Sequence, residues 1–299
     1  YGGRGATPAQ RLIWHEEEGA FARLHALFHN GQAMGAPTLM DFATEAQKQL
    51  FLPRIASGED VWCQLFSEPA AGSDLAGIVT KAERHDADWL VNGQKVWTSG
   101  GQHADYGILI ARSDPSVPKH RGLTAFFVDM RSPGVDARPI RQMNDQTGFA
   151  EVFFHDVILS DDCRLGEVGG GWTVALTMLA HERLAIGLEM PTGFRELFDF
   201  CRGLQIDGQR ALENAEVIAR LASFDGIASG LENFMAGMMG DLARGKLPGP
   251  EASLIKLAAG QLMQRIAFYA MDLQGVHGLQ IGGDAPALGQ FQGMALRAP

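Results

Sequence analysis

The stretch Trp89-Leu90-Val91-Asn92-Gly93-Gln94-Lys95-Val96-Trp97 decides how the middle of the chain is read. Its apolar residues recur with the two-residue period of a strand. Asn-Gly between two apolar arms predicts a tight hairpin, because both residues of the favoured turn need positive φ. Outward from it, Tyr106 to Ala111, Leu123 to Asp129 and Glu151 to Ile158 read as further strands. Turn signals separate them at Asp114-Pro115 and Ser132-Pro133-Gly134. No helical stretch interrupts this run, which favours an antiparallel sandwich or barrel over a doubly wound parallel sheet.

On both sides the period changes. Before Gly58, Leu12, Ile13, Glu16, Ala20, Leu24, Leu27 and Phe28 recur at helical steps. Thr44 with Gln47 three residues on predicts an N-cap with a capping box, in a helix that has Pro53 near its end. After Trp172, helical patterns run over Val174 to Ile186, Ala211 to Asp241 and Ser253 to Leu273, with a break at Gly245 to Pro250. Their lengths suit an antiparallel bundle. The expected architecture is α+β and multidomain: an N-terminal helical domain (1–60), a middle antiparallel β-barrel or sandwich domain (61–168) and a C-terminal antiparallel helical bundle (169–299).

Composition narrows the function. Of 299 residues, 35 are acidic and 25 basic, a net charge of −10, which argues against nonspecific nucleic-acid binding. Apolar residues make up 46% and charged residues 20%, so the chain is not of the disordered class. No apolar run approaches the ~18 residues of a membrane span. Tyr1-Gly2-Gly3-Arg4-Gly5 has no apolar core of a signal peptide. Cys63, Cys163 and Cys201 stand far apart without a C-x-x-C pair, so a reduced, cytoplasmic setting is expected.

Several motifs fail. There is no G-x-G-x-x-G. Gly240 to Leu247 nearly matches a phosphate-binding loop, but Leu247 stands where Ser or Thr must meet magnesium, so the stretch reads as a capped helix end. His25 and His29 share a helix face with no third ligand in view, so no metal is expected.

Three stretches exceed what folding needs. Gln64-Leu65-Phe66-Ser67-Glu68-Pro69-Ala70-Ala71-Gly72-Ser73-Asp74 clusters small residues, so a ligand could approach its backbone. Lys95-Val96-Trp97-Thr98-Ser99-Gly100-Gly101 sets a tryptophan beside two hydroxyls, suited to stacking on a flat ring and bonding its edge. Leu179-Ala180-His181-Glu182-Arg183-Leu184 places a Glu-Arg step in an otherwise apolar helix. Taken singly, each also has a plain reading, as a turn, a core tryptophan and a surface ion pair.

Together they resemble the acyl-CoA dehydrogenase family of flavoproteins. The likeness rests on Glu-Pro-x-x-Gly-Ser-Asp (68–74) and Asn-Gly-x-Lys-x-Trp-x-Ser (92–99). Gln47-Lys48 before Leu52-Pro53, Val152-Phe153-Phe154, and Gly171-Trp172 ahead of the Glu-Arg helix support it. The resemblance implies FAD as cofactor and an acyl-CoA thioester as substrate. By position, Gln64, Phe66, Ser67, Gly72 and Ser73 would line the flavin, with Ser67 at its pyrimidine edge and Ser73 also near the substrate's pantetheine or pyrophosphate. Trp97 would flank the ring with Thr98 beside it, and Ser99 would bond near N5. Glu182 matches the Glu-Arg base of branched- and long-chain members, and Arg183 would support the pocket or the coenzyme A side. The implied reaction removes the α-proton with Glu182 and passes the β-hydride to flavin N5, as in the β-oxidation of fatty acids or other lipids. Electron-transferring flavoprotein is the implied acceptor, and self-association or a paralogous subunit, as dimer or tetramer, the implied assembly.

The chain also departs from that family. By the resemblance the chain is expected to be partial, lacking the first N-terminal helices and the extreme C-terminus, and Phe200 to Gly208 stands where an Arg-x-x-Phe-Gly segment is usual. Gln274-Gly275 and Gly282-Gly283 only weakly match the later flavin-contacting glutamine and glycines. Two further readings follow: a non-catalytic or flavin-sharing subunit of a heteromeric dehydrogenase, or an oxygen-using flavin oxidase of the same fold.

Overall fold

The computed structural model describes residues 27–189, 192–244, 251–280 and 284–297, together with 1, 4–7, 10, 13, 14, 17, 18, 21, 249 and 282. Of the N-terminal helical pattern, Leu12, Glu16, Ala20 and Leu24 lie outside the described residues, as do His25 and the Gly245 to Leu247 end of the near phosphate-loop match. The chain divides into two compact units, Tyr1–Gly5 with Glu18–Glu182, and Ala6–Glu17 with Arg183–Pro299.

In the first unit a π-helical turn at Asn30–Gly35 passes into α1 (Ala36–Phe42). Helix α2 (Glu45–Ser57) begins on the expected capping box: the Thr44 hydroxyl accepts from the Gln47 N–H and the Gln47 side chain accepts from the Thr44 N–H. The helix runs through Pro53 and stops on Gly58, whose φ of 76° suits a residue without Cβ.

The strands are β1 (Trp62–Leu65), β2 (Lys81–His85), β3 (Asp88–Ser99), β4 (Tyr106–Arg112), β5 (Leu123–Asp129), β6 (Val135–Ile140), β7 (Phe149–Leu159) and β8 (Arg164–Leu165). They form an eight-stranded sheet in the order β6-β7-β3-β2-β4-β5-β8, with β1 added on β4. The ladders are antiparallel except β1 with β4, and the single pair Lys81–Arg112 between β2 and β4, which are parallel.

The Asn-Gly hairpin does not form. Asn92 and Gly93 lie inside one continuous strand, β3, and the chain reverses instead at Asp86-Ala87, between the paired His85 and Asp88. Gly93 serves close approach: a Cβ there would stand 2.5 Å from Thr80 Oγ1 and 2.7 Å from Thr80 Cα. The Asx-Gly turn occurs at Asp207-Gly208, with φ of 51° and 79°, between β9 (Gln205–Ile206) and β10 (Gln209–Arg210).

Period-two alternation splits the first unit's apolar side chains between two cores. Trp62 and Phe66, with Ile108 and Ile110 of β4, pack against Leu39, Phe51, Leu52 and Ile55 of the N-terminal helices. Val174, Ala175 and Met178 of α3 (Gly171–Glu189) join that same core. Cys63, Leu65, Leu109 and Ala111 face the other way, against Val91, Phe126, Val152 and Phe154. Among these, a fully buried Val, Leu, Ile, Phe or Met side chain contributes about 1.5–3 kcal/mol.

The second unit holds α4 (Phe194–Gly203), α5 (Ala215–Ala243), α6 (Glu251–Leu273) and α7 (Gln290–Arg297). Leu197, Cys201, Leu221, Phe224, Ile266 and Phe291 make its core. No described helix is long and apolar enough to cross a membrane.

Candidate active site

Two of the three chemistry-bearing stretches are joined by a buried ion pair. Lys95 Nζ lies 2.8 Å from Glu68 Oε1, with side chains 0% and 3% exposed. The ammonium also donates to the Phe66 carbonyl at 3.0 Å. The Glu68 carboxylate takes two further donors, the backbone N–H groups of Val79 at 2.6 Å and Thr80 at 3.0 Å. Beside it, the Val96 N–H donates to the Ser67 carbonyl at 2.9 Å. The Ser67 loop and the Trp97 end of β3 are therefore one braced piece. Burial pulls the Lys95 pKa down to about 8, against the pull of Glu68. Burial also works against the Glu68 carboxylate, but Lys95 and the N–H donors outweigh it and hold its pKa below the ordinary glutamate value.

Trp97 is set outward by a bulge. The pairing Lys95–Val152 is followed by Thr98–Ala150, so Val96 and Trp97 together oppose Glu151 alone. Trp97 takes φ of 59°, rare for a bulky residue; the residue is 57% exposed, and its ring meets Phe149 edge-on with centroids 5.9 Å apart. Ser99 is exposed on the same side of the strand by alternation, and its carbonyl accepts from Asn30 Nδ2 at 3.2 Å. Thr98 turns the other way and is 2% exposed. A Cβ on Gly101 would come within 2.8 Å of its Cγ2, and its hydroxyl has no partner among the described residues.

The expected flavin-lining residues divide similarly. The Phe66 side chain is in the helix-facing core, so only its backbone is available to a ligand. Ser67 is partly exposed, and Gly72 and Ser73 are exposed. A Cβ on Gly72 would meet no atom within 4 Å, so nothing in the protein itself asks for glycine there. An outward aromatic ring held on strained backbone, beside a bare loop, fits a flat cofactor better than it fits a need of the fold.

Glu182 reaches the first unit through helical spacing. It lies four residues after Met178 and seven after Ala175, on the face that α3 buries against the β1–β4 core, at its rim. Its side chain is half-buried, and Gln64 Nε2 donates to its Oε2 at 3.4 Å. Gln64 shares its face of β1 with Trp62 and Phe66. His181 is half-buried, and burial lowers its pKa against a weaker opposing pull from Asp41. Arg183 is partly exposed. Among the described residues no group of His, Cys, Asp or Glu could hold a metal ion.

Glu68 and Lys95 stand in the two motifs with no role that the sequence pattern assigns them. The signal was available: Trp89, Val91 and Lys95 occupy the inward positions of β3, and a cation at an inward position needs a buried partner.

Models of three acyl-CoA dehydrogenase domains match the chain end to end: the N-terminal domain over residues 1–59, the middle domain over 63–157 and the C-terminal domain over 169–296. The acyl-CoA dehydrogenase FadE34 of Mycobacterium tuberculosis is 37% identical over 279 residues, covering 93% of this chain and 38% of that protein. The chain thus spans well under half the length of that curated relative. Among solved structures, an acyl-CoA dehydrogenase from Geobacillus kaustophilus superposes with a TM-score of 0.88 at 28% identity, over 100% of this chain and 79% of that one. The ChsE4-ChsE5 complex from Mycobacterium tuberculosis superposes with a TM-score of 0.86 at 30% identity, over 100% and 78%. With all three domain models in order and the same fold in solved members, the chain belongs to the acyl-CoA dehydrogenase family.

Proposed function

We propose that this chain carries an FAD-dependent acyl-CoA dehydrogenase site in which Glu182 is the base, within three modules at 1–60, 61–168 and 169–299. The observation that carries the reading is the gathering, within one compact unit, of the braced Ser67 and Trp97 segments and the half-buried Glu182 carboxylate beside Gln64.

Ser67, Gly72, Ser73, Trp97 and Ser99 would hold the flavin, with backbone donors on the Ser67 loop and the Trp97 ring flanking the isoalloxazine. Gln64, Phe66 and Thr98 shape the same pocket from behind, through packing and backbone. When bound, FAD supplies the acceptor for the hydride that leaves the substrate β-carbon. Glu182 takes the α-proton onto a carboxylate oxygen as the Cα–Cβ double bond forms. In this reading the carboxylate stands at the rim of the apolar core, where the thioester would meet it. Ser73 and Arg183 would meet the coenzyme A portion. The acceptor in this reading is electron-transferring flavoprotein, in the cytoplasm.

Glu182→Gln tests the reading. A protein that keeps its flavin absorbance but no longer exchanges the α-hydrogen of an acyl-CoA with solvent deuterium supports it. Unchanged exchange removes Glu182 from the chemistry.

A second reading, a subunit that completes its site with a paralogue, draws on the Phe200 to Gly208 region, which is the end of α4 followed by the start of the β9–β10 hairpin. Purifying the chain alone separates the two readings, since a colourless protein that gains flavin only on mixing with a partner favours the second.

A further inference from the structure

We infer that Gln64 is a positioning residue that holds the Glu182 carboxylate in both of its protonation states. This rests on the reading of Glu182 as base. Position within the family's motif assigns Gln64 to the flavin lining, but its side chain points elsewhere: Nε2 donates to Glu182 Oε2 at 3.4 Å. Its neighbours on the same strand face, Trp62 and Phe66, are both buried apolar residues. An apolar side chain would continue that face, so packing does not account for an amide at position 64.

The chemistry of the amide does. Glutamine is neutral and carries both donors and an acceptor. It can donate to an ionised carboxylate, and after proton uptake its carbonyl oxygen can accept from the new O–H. A lysine or arginine would bind the ionised form far more strongly and weaken the base. A methionine would withdraw the amide that faces Oε2. At 3.4 Å the contact lies at the long end of the hydrogen-bond range.

The test uses the full-length holoprotein, with octanoyl-CoA in deuterium oxide and α-hydrogen exchange as readout. Gln64→Met should lower the exchange rate at saturation about tenfold with the half-saturating concentration unchanged, a split that general loosening would not give. In Gln64→Met/Glu182→Gln, exchange should fall no further than in Glu182→Gln alone. Gln64→Met exchanging at the unmodified rate, while Glu182→Gln does not exchange, overturns the positioning role and leaves the base in place. Glu182→Gln exchanging normally overturns both. Should Gln64→Met fail to fold, the side-chain amide resonance of Gln64 in the native protein decides: it should move on Glu182→Gln, and an unmoved resonance overturns the proposal.

Discussion

Lys95 Nζ and Glu68 Oε1 lie 2.8 Å apart with both side chains buried, and each belongs to a different chemistry-bearing stretch. Removing one partner strands the other charge in the interior. Glu68→Gln should destabilise the protein by about 3–5 kcal/mol, and Glu68→Gln/Lys95→Met should recover much of that loss. Urea denaturation of the three variants measures it, and a double variant no better than the single one would contradict the pairing.

The same carboxylate gives a pH dependence. Its folded-state pKa is depressed, so the unfolded chain binds the proton more readily. The stability Glu68 contributes is complete above its unfolded value, about 4.3, and is lost as pH falls through the lower folded value. Denaturation midpoints measured from pH 7 down to 3 should fall more steeply for the unmodified protein than for Glu68→Gln.

Trp97 separates fold from ligand. Its ring is exposed and its backbone sits in the left-handed region. Trp97→Gly should relieve about 1 kcal/mol of strain relative to Trp97→Ala, so the glycine variant should melt higher. Both should bind FAD more weakly than the unmodified protein, read by flavin fluorescence after dialysis.

Two glycines should answer differently to alanine. At Gly93 a Cβ would collide with the Thr80 backbone, and Gly93→Ala should cost at least about 2 kcal/mol, seen as a lower melting temperature. At Gly72 there is open space, so Gly72→Ala should change stability by no more than about 0.5 kcal/mol while reducing flavin retention.

The broad order of elements was legible because the hydrophobic period switches cleanly from helical to two and back. The capping box at Thr44 and Gln47 was readable residue by residue, since its chemistry is local. Asn92-Gly93 misled because a turn signal and a close-approach glycine look alike in one dimension, and only Thr80, on the neighbouring segment, tells them apart. The parallel placement of β1 on β4 was equally hidden, since pairing across 44 residues leaves no local trace. Within the site, the motifs pointed to the loop and the tryptophan strand. Trp97 faces outward and Thr98 inward, the reverse of plain alternation from Lys95, because of a bulge that no spacing rule announces.

The brace between the Ser67 loop and β3 also bears on engineering. A designer who grafts either segment onto a foreign scaffold would import an interior charge without its counter-ion. The practical unit of transfer is both segments with Val79 and Thr80, whose N–H groups complete the Glu68 carboxylate's shell.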